Sequence, residues 1–187
     1  SILNEFAVDA PEGYVNSLSG ERRNLIDRAF GKPTAEEIVS ELEKEGSEFA
    51  LKTKDTIIAR SPTSVKATLH ALNKGKTIGI TDVLNMEYRL AEHFMYHPDF
   101  VEGVSAKLLT KPAREPSWSP PTISEVSTSA IQDMFSTKAD SVATDIDFVY
   151  PDINFHQYPH SFGLPSEVDV CNYVTGNDNS DREFKVS

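Results

Sequence analysis

Apolar residues in the stretch 61–109 recur every three or four positions, which is the spacing of one face of an α-helix. Ser61-Pro62 suits the cap and the first turn of a helix. The face that follows consists of Val65, Leu69 and Leu72. The pattern predicts a helix over 62–74 with Leu69 turned toward a core.

The next segment, 81–96, carries apolar residues over a wider arc. One stripe consists of Leu84, Tyr88, Ala91 and Met95. A second stripe beside it consists of Val83, Leu90 and Phe94. A helix with two apolar stripes needs two packing partners, so we expect this chain to expose a large apolar surface unless a further polypeptide covers one of them.

The same reasoning along the chain predicts a mostly α fold. The expected helices lie near 21–30, 34–45, 47–59, 62–74, 81–96, 99–109, 128–135 and 166–174. We expect the four helices from 47 to 109 to form the core. Residues 1–19 are interpreted as a linking arm, 20–118 as a helical module, and 119–187 as short helices with an extended surface tail. Within that tail, residues 136–159 lack periodicity and are interpreted as a strap on the surface.

Composition narrows the functional classes. The chain has 187 residues and a formal net charge of −11, which repels phosphate backbones and argues against direct nucleic-acid binding. No apolar run approaches the roughly 20 residues that a membrane span needs, so no membrane partner is expected. A single cysteine, Cys171, excludes an internal disulfide and fits a reducing compartment.

Several stretches together resemble a known family. SPTS at 61–64, LNMEYRLAEHF at 84–94, DFVEGVSAKLLTK at 99–111 and PSW at 116–118 are similar to the C-terminal part of the crotonase (enoyl-CoA hydratase/isomerase) superfamily. The best-fitting branch is 3-hydroxyisobutyryl-CoA hydrolase, in a fungal-type form, and residues 24–61 fit that branch too. The resemblance covers roughly Gly20 to Phe135.

The resemblance also implies what this chain does not contain. Members of the family carry an oxyanion hole and acidic groups in an N-terminal half of repeated strand–helix units, and no stretch here matches that half. The chain therefore resembles a C-terminal helical module without the catalytic half, and we expect no catalytic residue in it. The activity implied for the whole enzyme is hydrolysis of an acyl-CoA thioester in mitochondrial valine breakdown, with the CoA ester as substrate and no further cofactor.

The resemblance places one binding function in this region. Family members use a basic residue here near the phosphates of CoA, and Lys111 stands at the basic position of an EG-x-x-A-x-x-x-x-K/R pattern that begins at Glu102. Lys107 and Arg114 lie close by and are further candidates for the phosphate site. Cations near a helix C-terminus are also favoured by the helix dipole, so a purely structural role is the alternative.

Three other groups are interpreted structurally. Glu87 lies on the Val83–Leu90–Phe94 stripe, where a carboxylate needs a partner, and we expect a structural acceptor rather than a catalytic acid. His93 and His97 are four residues apart, as two metal ligands on a helix would be, but no third ligand follows and we expect no metal site. Cys171 has no neighbouring basic group in the sequence, which argues against a nucleophilic role.

Two alternatives to the hydrolase interpretation remain. Homologues of this branch serve as structural subunits of fungal mitochondrial ribosomes, and the tail after Phe135 could dock on ribosomal proteins. The other alternative is a related enoyl-CoA hydratase or isomerase. The expected partners are an acyl-CoA, an N-terminal crotonase half, and either a second copy of the chain or mitochondrial ribosomal proteins.

Overall fold

The computed structural model describes residue 8 and residues 11–136, 145–150, 152–155 and 165–177. These residues form eight α-helices and no strand: α1 Glu21–Phe30, α2 Ala35–Glu45, α3 Glu48–Ile58, α4 Pro62–Gly75, α5 Ile80–Tyr96, α6 Pro98–Val104, α7 Thr128–Met134 and α8 Glu167–Thr175. A π-helical turn, Ser105–Leu109, extends α6, and a 3-10 turn, Ile123–Glu125, precedes α7. The mostly α prediction is confirmed, and each helix lies close to its predicted bounds.

Side-chain caps decide where most of these helices begin. A hydroxyl oxygen accepts a hydrogen bond from the backbone N–H three residues later, which satisfies an amide that has no partner inside the helix. The capping residues of this kind are Thr34, Ser47, Ser61, Ser127 and Ser166. In α8 the Asp169 carboxylate also accepts from the Ser166 N–H, which completes a capping box.

The larger of the two apolar clusters lies in the N-terminal part of the bundle. Its buried members come from α1, α2 and α3 and are Leu25, Ala29, Ile38, Leu42 and Ala50. Leu69 of α4 packs against this cluster but is only half-buried. The prediction that the helices from 47 to 109 form the core is therefore wrong, because α1 and α2 supply four of the five buried residues.

A second cluster joins α4 to the segment after Trp118. Ala67, Val126 and Ile131 are buried, and Leu90 and Phe94 of α5 pack against them. The Lys66 ammonium group of α4 donates a hydrogen bond to the Val126 carbonyl on the other side of this cluster, at 2.7 Å. The 3-10 turn and α7 thus cover a face of α4 that looks polar in the sequence.

A buried carboxylate links three distant parts of the chain. Asp99, only 4% exposed, accepts a hydrogen bond from the Ser61 hydroxyl at 2.5 Å and one from the Ser119 N–H at 2.8 Å. The cap of α6 is not Asp99 but the His97 imidazole, whose Nδ1 accepts from the Asp99 N–H at 3.2 Å.

Trp118 and Glu102 complete this link, which we call the junction (Ser61, Asp99, Glu102 and Trp118). The Trp118 indole N–H donates to the Ala59 carbonyl at 3.1 Å, and its ring lies against Gly103, where a Cβ would come within 3.2 Å of the ring. Glu102 accepts from the Ser117 N–H at 2.6 Å and pairs with Arg114 through both of its oxygens. The ends of α3, α4 and α6 are thereby tied to the loop 117–119.

One of the two apolar stripes on α5 is left exposed by the residues that the structure describes. Leu84, Tyr88 and Met95 are exposed, whereas Val83, Leu90 and Phe94 of the other stripe are half-buried. This agrees with the expectation that the chain leaves a large apolar surface open to a further partner. Of the helices that the structure describes, none combines the length and apolar character needed to cross a bilayer.

The first prediction concerns the larger cluster. Leu42 is 1% exposed, so Leu42→Ala removes buried contacts and leaves a cavity. We expect the free energy of unfolding to fall by about 2–5 kcal/mol, measured by urea titration followed by circular dichroism. Leu72→Ala is the matched control, because Leu72 is 64% exposed on α4 and its loss should change stability by no more than about 0.5 kcal/mol. Equal effects of the two substitutions would contradict this location of the core.

The second prediction concerns the stability of the fold at acid pH. The Arg114 guanidinium, helped by the Ser117 N–H, lowers the pKa of Glu102 from 4.5 to about 2. Because the folded pKa lies below the unfolded one, the ionised carboxylate stabilises the fold above pH 4.5, and this contribution is lost as the pH falls toward 2. Glu102→Gln should therefore flatten the dependence of melting temperature on pH in that window.

The control for this experiment is Glu12→Gln, since Glu12 is exposed in the loop before α1 and makes no ion pair in the described structure. Its pH profile should follow that of the unsubstituted chain. A Glu102→Gln profile that also follows the unsubstituted chain would show that Arg114 does not hold the carboxylate in its ionised form in solution.

Candidate functional site

The main concavity in the described part of the chain is an apolar cleft of about 720 Å³. Its walls come from α2, the end of α3, α4 and α6, and the apolar lining includes Phe30, Ile38, Ile57, Val65, Leu69, Leu72, Phe94, Phe100, Val104 and Trp118. Three junction residues, Ser61, Asp99 and Trp118, line it, so the hydrogen bonds of the junction fix the relative positions of these walls. A pocket of this size and polarity is typical of a small-molecule site.

Lys107 is the one predicted phosphate-binding residue that lines the cleft. It lies on the π-helical turn, and its ammonium group pairs with the Glu115 carboxylate at 2.9 Å. Glu115 is 83% exposed, so this pair is strongly solvated and contributes little to stability. Lys107 is therefore available to another anion.

The other two predicted residues are placed differently. Arg114 is held by Glu102 in a two-point ion pair with N–O distances of 2.6 and 2.9 Å, and this carboxylate raises the pKa of the Arg114 guanidinium further above its ordinary value. Lys111 is exposed and makes no hydrogen bond or ion pair within the described residues. Of the two, Lys111 has its charge free for a ligand, and Arg114 has a structural role in this conformation.

The expectation for Glu87 rested on burial and is wrong. Glu87 is exposed on α5, between the two stripes, and it makes no hydrogen bond or ion pair with any residue that the structure describes. Two carboxylates of the junction do have structural partners: Asp99 accepts from Ser61 and Ser119, and Glu102 pairs with Arg114. The position of Glu87 on an apolar stripe therefore did not indicate a buried or paired carboxylate. The paired carboxylates are motif residues that stand next to Pro98 and Gly103 in the sequence.

The histidines and the cysteine show no arrangement for metal or covalent chemistry in the described parts of the chain. His93 and His97 line a cavity of about 300 Å³, and the Nδ1 of His97 is occupied by the Asp99 N–H. No group of three potential metal ligands is found among the described residues. Cys171 is exposed on α8.

The described part of the strap, residues 145–150 and 152–155, lies along the N-terminal half of α5. The Phe155 carbonyl accepts the Ile80 N–H at 3.0 Å, and the Asn154 side chain accepts the Thr81 N–H at 3.2 Å. A side chain at position 79 would collide with Asn154, which explains the glycine there. The strap thus supplies the cap that α5 lacks locally.

Two kinds of curated relative match this chain. The mitochondrial 3-hydroxyisobutyryl-CoA hydrolase of Danio rerio is 41% identical over 117 residues, which are 63% of this chain and 30% of the relative. The small ribosomal subunit protein mS47 of Neurospora crassa is 32% identical over 180 residues, which are 90% of this chain and 35% of the relative. The chain thus spans about a third of the length of each.

Solved structures and family models agree with these matches. A carnitinyl-CoA dehydratase from Mycobacterium thermoresistibile superposes with a TM-score of 0.61 at 27% identity, over 71% of this chain and 37% of that one. The model of the enoyl-CoA hydratase/isomerase family matches residues 1–135, which contain the cleft and the junction. The helical chain therefore belongs to the enoyl-CoA hydratase/isomerase family, within the crotonase superfamily.

Proposed function

We propose that this chain is the C-terminal helical module of an acyl-CoA thioester hydrolase that acts on 3-hydroxyisobutyryl-CoA in mitochondria. The observation that carries the proposal is the similarity to the zebrafish mitochondrial hydrolase, at 41% identity. The motifs of this chain that resemble the family hold the junction residues, which frame the cleft. The substrate would be a CoA thioester, and the reaction would release CoA.

The role proposed for this module is binding rather than bond cleavage. Hydrolysis of a thioester needs an activated water or carboxylate and hydrogen-bond donors aimed at the developing oxyanion. We place both in an N-terminal half that would pack against the exposed stripe of α5. Lys111 would contact a phosphate of CoA, because its ammonium group is exposed and unpaired, with Lys107 as a second contact.

The third prediction follows from assigning CoA binding to this module and thioester cleavage to the N-terminal half. The isolated 187-residue chain should release no free CoA from 3-hydroxyisobutyryl-CoA above the rate without protein, measured with a thiol reagent. In a full-length protein that carries this chain after a catalytic half, Lys111→Ala should raise KM several-fold and leave kcat unchanged, the pattern of lost uniform binding. Steady-state kinetics on both proteins test the two parts separately.

The control variant for the kinetics is Lys76→Ala, a surface lysine just after α4 whose ammonium group donates to the Asn73 side chain. It should leave both constants unchanged. Turnover by the isolated chain would show that the chemistry lies in this chain. A Lys111→Ala enzyme with reduced kcat and unchanged KM would remove Lys111 from the phosphate site.

A second candidate function rests on a different observation. The match to the Neurospora ribosomal protein covers 90% of this chain and must therefore include part of the sequence after residue 135, where the family model ends. We infer that the alternative function is a structural one in the small subunit of the mitochondrial ribosome. With a net charge of −11, contact would be made through ribosomal proteins rather than RNA.

The fourth prediction distinguishes the two functions. If the chain is a ribosomal subunit, a tagged copy in mitochondria should sediment with whole ribosomes and with small subunits in a sucrose gradient. EDTA, which splits ribosomes into their subunits, should move the ribosome-bound fraction to the small-subunit position. The control is the same tagged chain ending at residue 136, which lacks the sequence shared beyond the family match. Sedimentation of the full chain only at the top of the gradient would contradict the ribosomal function and leave the hydrolase proposal in place.

A further inference from the structure

The apolar cleft has a ligand preference that can be inferred from its lining. Its volume of about 720 Å³ lies within the roughly 300–1,000 Å³ of small-molecule pockets. The lining is mostly aliphatic and aromatic, with the rings of Phe94, Phe100 and Trp118 among it. Such a surface favours an extended hydrocarbon, since removing apolar area from water is the main gain that it offers.

The exposed charged side chains that line the cleft are positive, whereas the chain as a whole carries a negative net charge. The net charge is −11, yet the exposed charged side chains in the lining are those of Arg60 and Lys107. The remaining charged residue, Asp99, is buried, and its two oxygens are taken by Ser61 and Ser119. A ligand in the cleft therefore meets cations and no free carboxylate of the lining.

Both cations are available to a ligand. The guanidinium of Arg60, in the turn between α3 and α4, makes no hydrogen bond or ion pair in the part of the chain that the structure describes; only the backbone N–H of this residue is bonded, to the Ile57 carbonyl. Among the described residues, the ion-pair partner of Lys107 is the solvated carboxylate of Glu115. An anion bound beside apolar walls would be less screened than Glu115 is, so it would compete well for the Lys107 ammonium group.

We propose that the cleft binds a linear acyl carboxylate, with its hydrocarbon chain along the apolar walls and its carboxylate on Arg60 and Lys107. Ser64 and Thr68, which also line the cleft, place hydroxyl-bearing side chains there as further polar contacts. This binding requires no thioester bond and no N-terminal half. The hydrolase proposal also uses Lys107, as a second phosphate contact, but dodecanoate binding and CoA release are measured separately, so either proposal can fail without the other.

The test uses dodecanoate as the probe and the 187-residue chain as the receptor. Trp118 is the single tryptophan and lines the cleft, so its fluorescence reports on occupancy. We expect a saturable change in emission below the micelle concentration, and a matching heat of binding by titration calorimetry. The Arg60→Ala/Lys107→Ala double variant should bind about five- to tenfold more weakly, as expected for two partly solvated ion pairs.

Three controls make the result specific. Dodecanol, which has no charge, should bind the unsubstituted chain and the double variant equally. Lys76→Ala, a cation just after α4 and outside the cleft, should leave dodecanoate affinity unchanged. Thr68→Phe should fill part of the cleft and weaken both probes, with an unchanged circular dichroism spectrum as proof of folding.

Two results would overturn the proposal. The first is the absence of saturable dodecanoate binding by both fluorescence and calorimetry. The second is equal dodecanoate affinity in the double variant and the unsubstituted chain, which would show that the cations do not select the ligand. Neither result bears on thioester hydrolysis, which is assayed by CoA release.

Discussion

The fold depends most on the buried carboxylate of Asp99. An unpaired charge in such a place would cost several kcal/mol, on the order of the whole stability of a small domain, so its partners have to be present together. Those partners, Ser61 and Ser119, lie 38 and 20 residues away along the chain. The carboxylate thus forces the start of α4, the start of α6 and the loop after Trp118 to meet at one point, and the cleft lies beside it.

This constraint explains why the family resemblance is carried by residues without chemistry. SPTS, DFVEG and PSW hold Ser61, Asp99, Glu102, Gly103 and Trp118, and the structure brings all five together. Their side chains make the hydrogen bonds of the junction, so the motifs that resemble the family hold its framework together. In this chain, recognition of the family therefore rests on the framework rather than on an active site.

Local signals predicted the helices well and the packing less well. Hydroxyl caps and three- or four-residue spacing located α2, α3, α4 and α7 to within about a residue, because both act within one turn. The buried face was misjudged where the partner is distant in sequence. Leu72 looks like a continuation of the Leu69 face but is exposed, and the Lys66 face looks solvated but packs on Val126. For the site, the family resemblance drew attention to Lys107 as a neighbour of Lys111, whereas Arg60 belongs to no recognised motif.

The strap has a consequence for where this chain can be shortened. The family match ends at residue 135, so a shortened chain would naturally be designed to end there. The first backbone N–H groups of α5, however, donate to Asn154 and Phe155, which such a chain would lack. Removing those acceptors would free the first turn of α5 to fray, at a cost similar to the loss of a helix cap, about 0.5–2 kcal/mol. Faster deuterium exchange at Ile80 and Thr81 would be the visible sign. Relatives that stop short of this segment must satisfy the same amides with water or with a residue of their own.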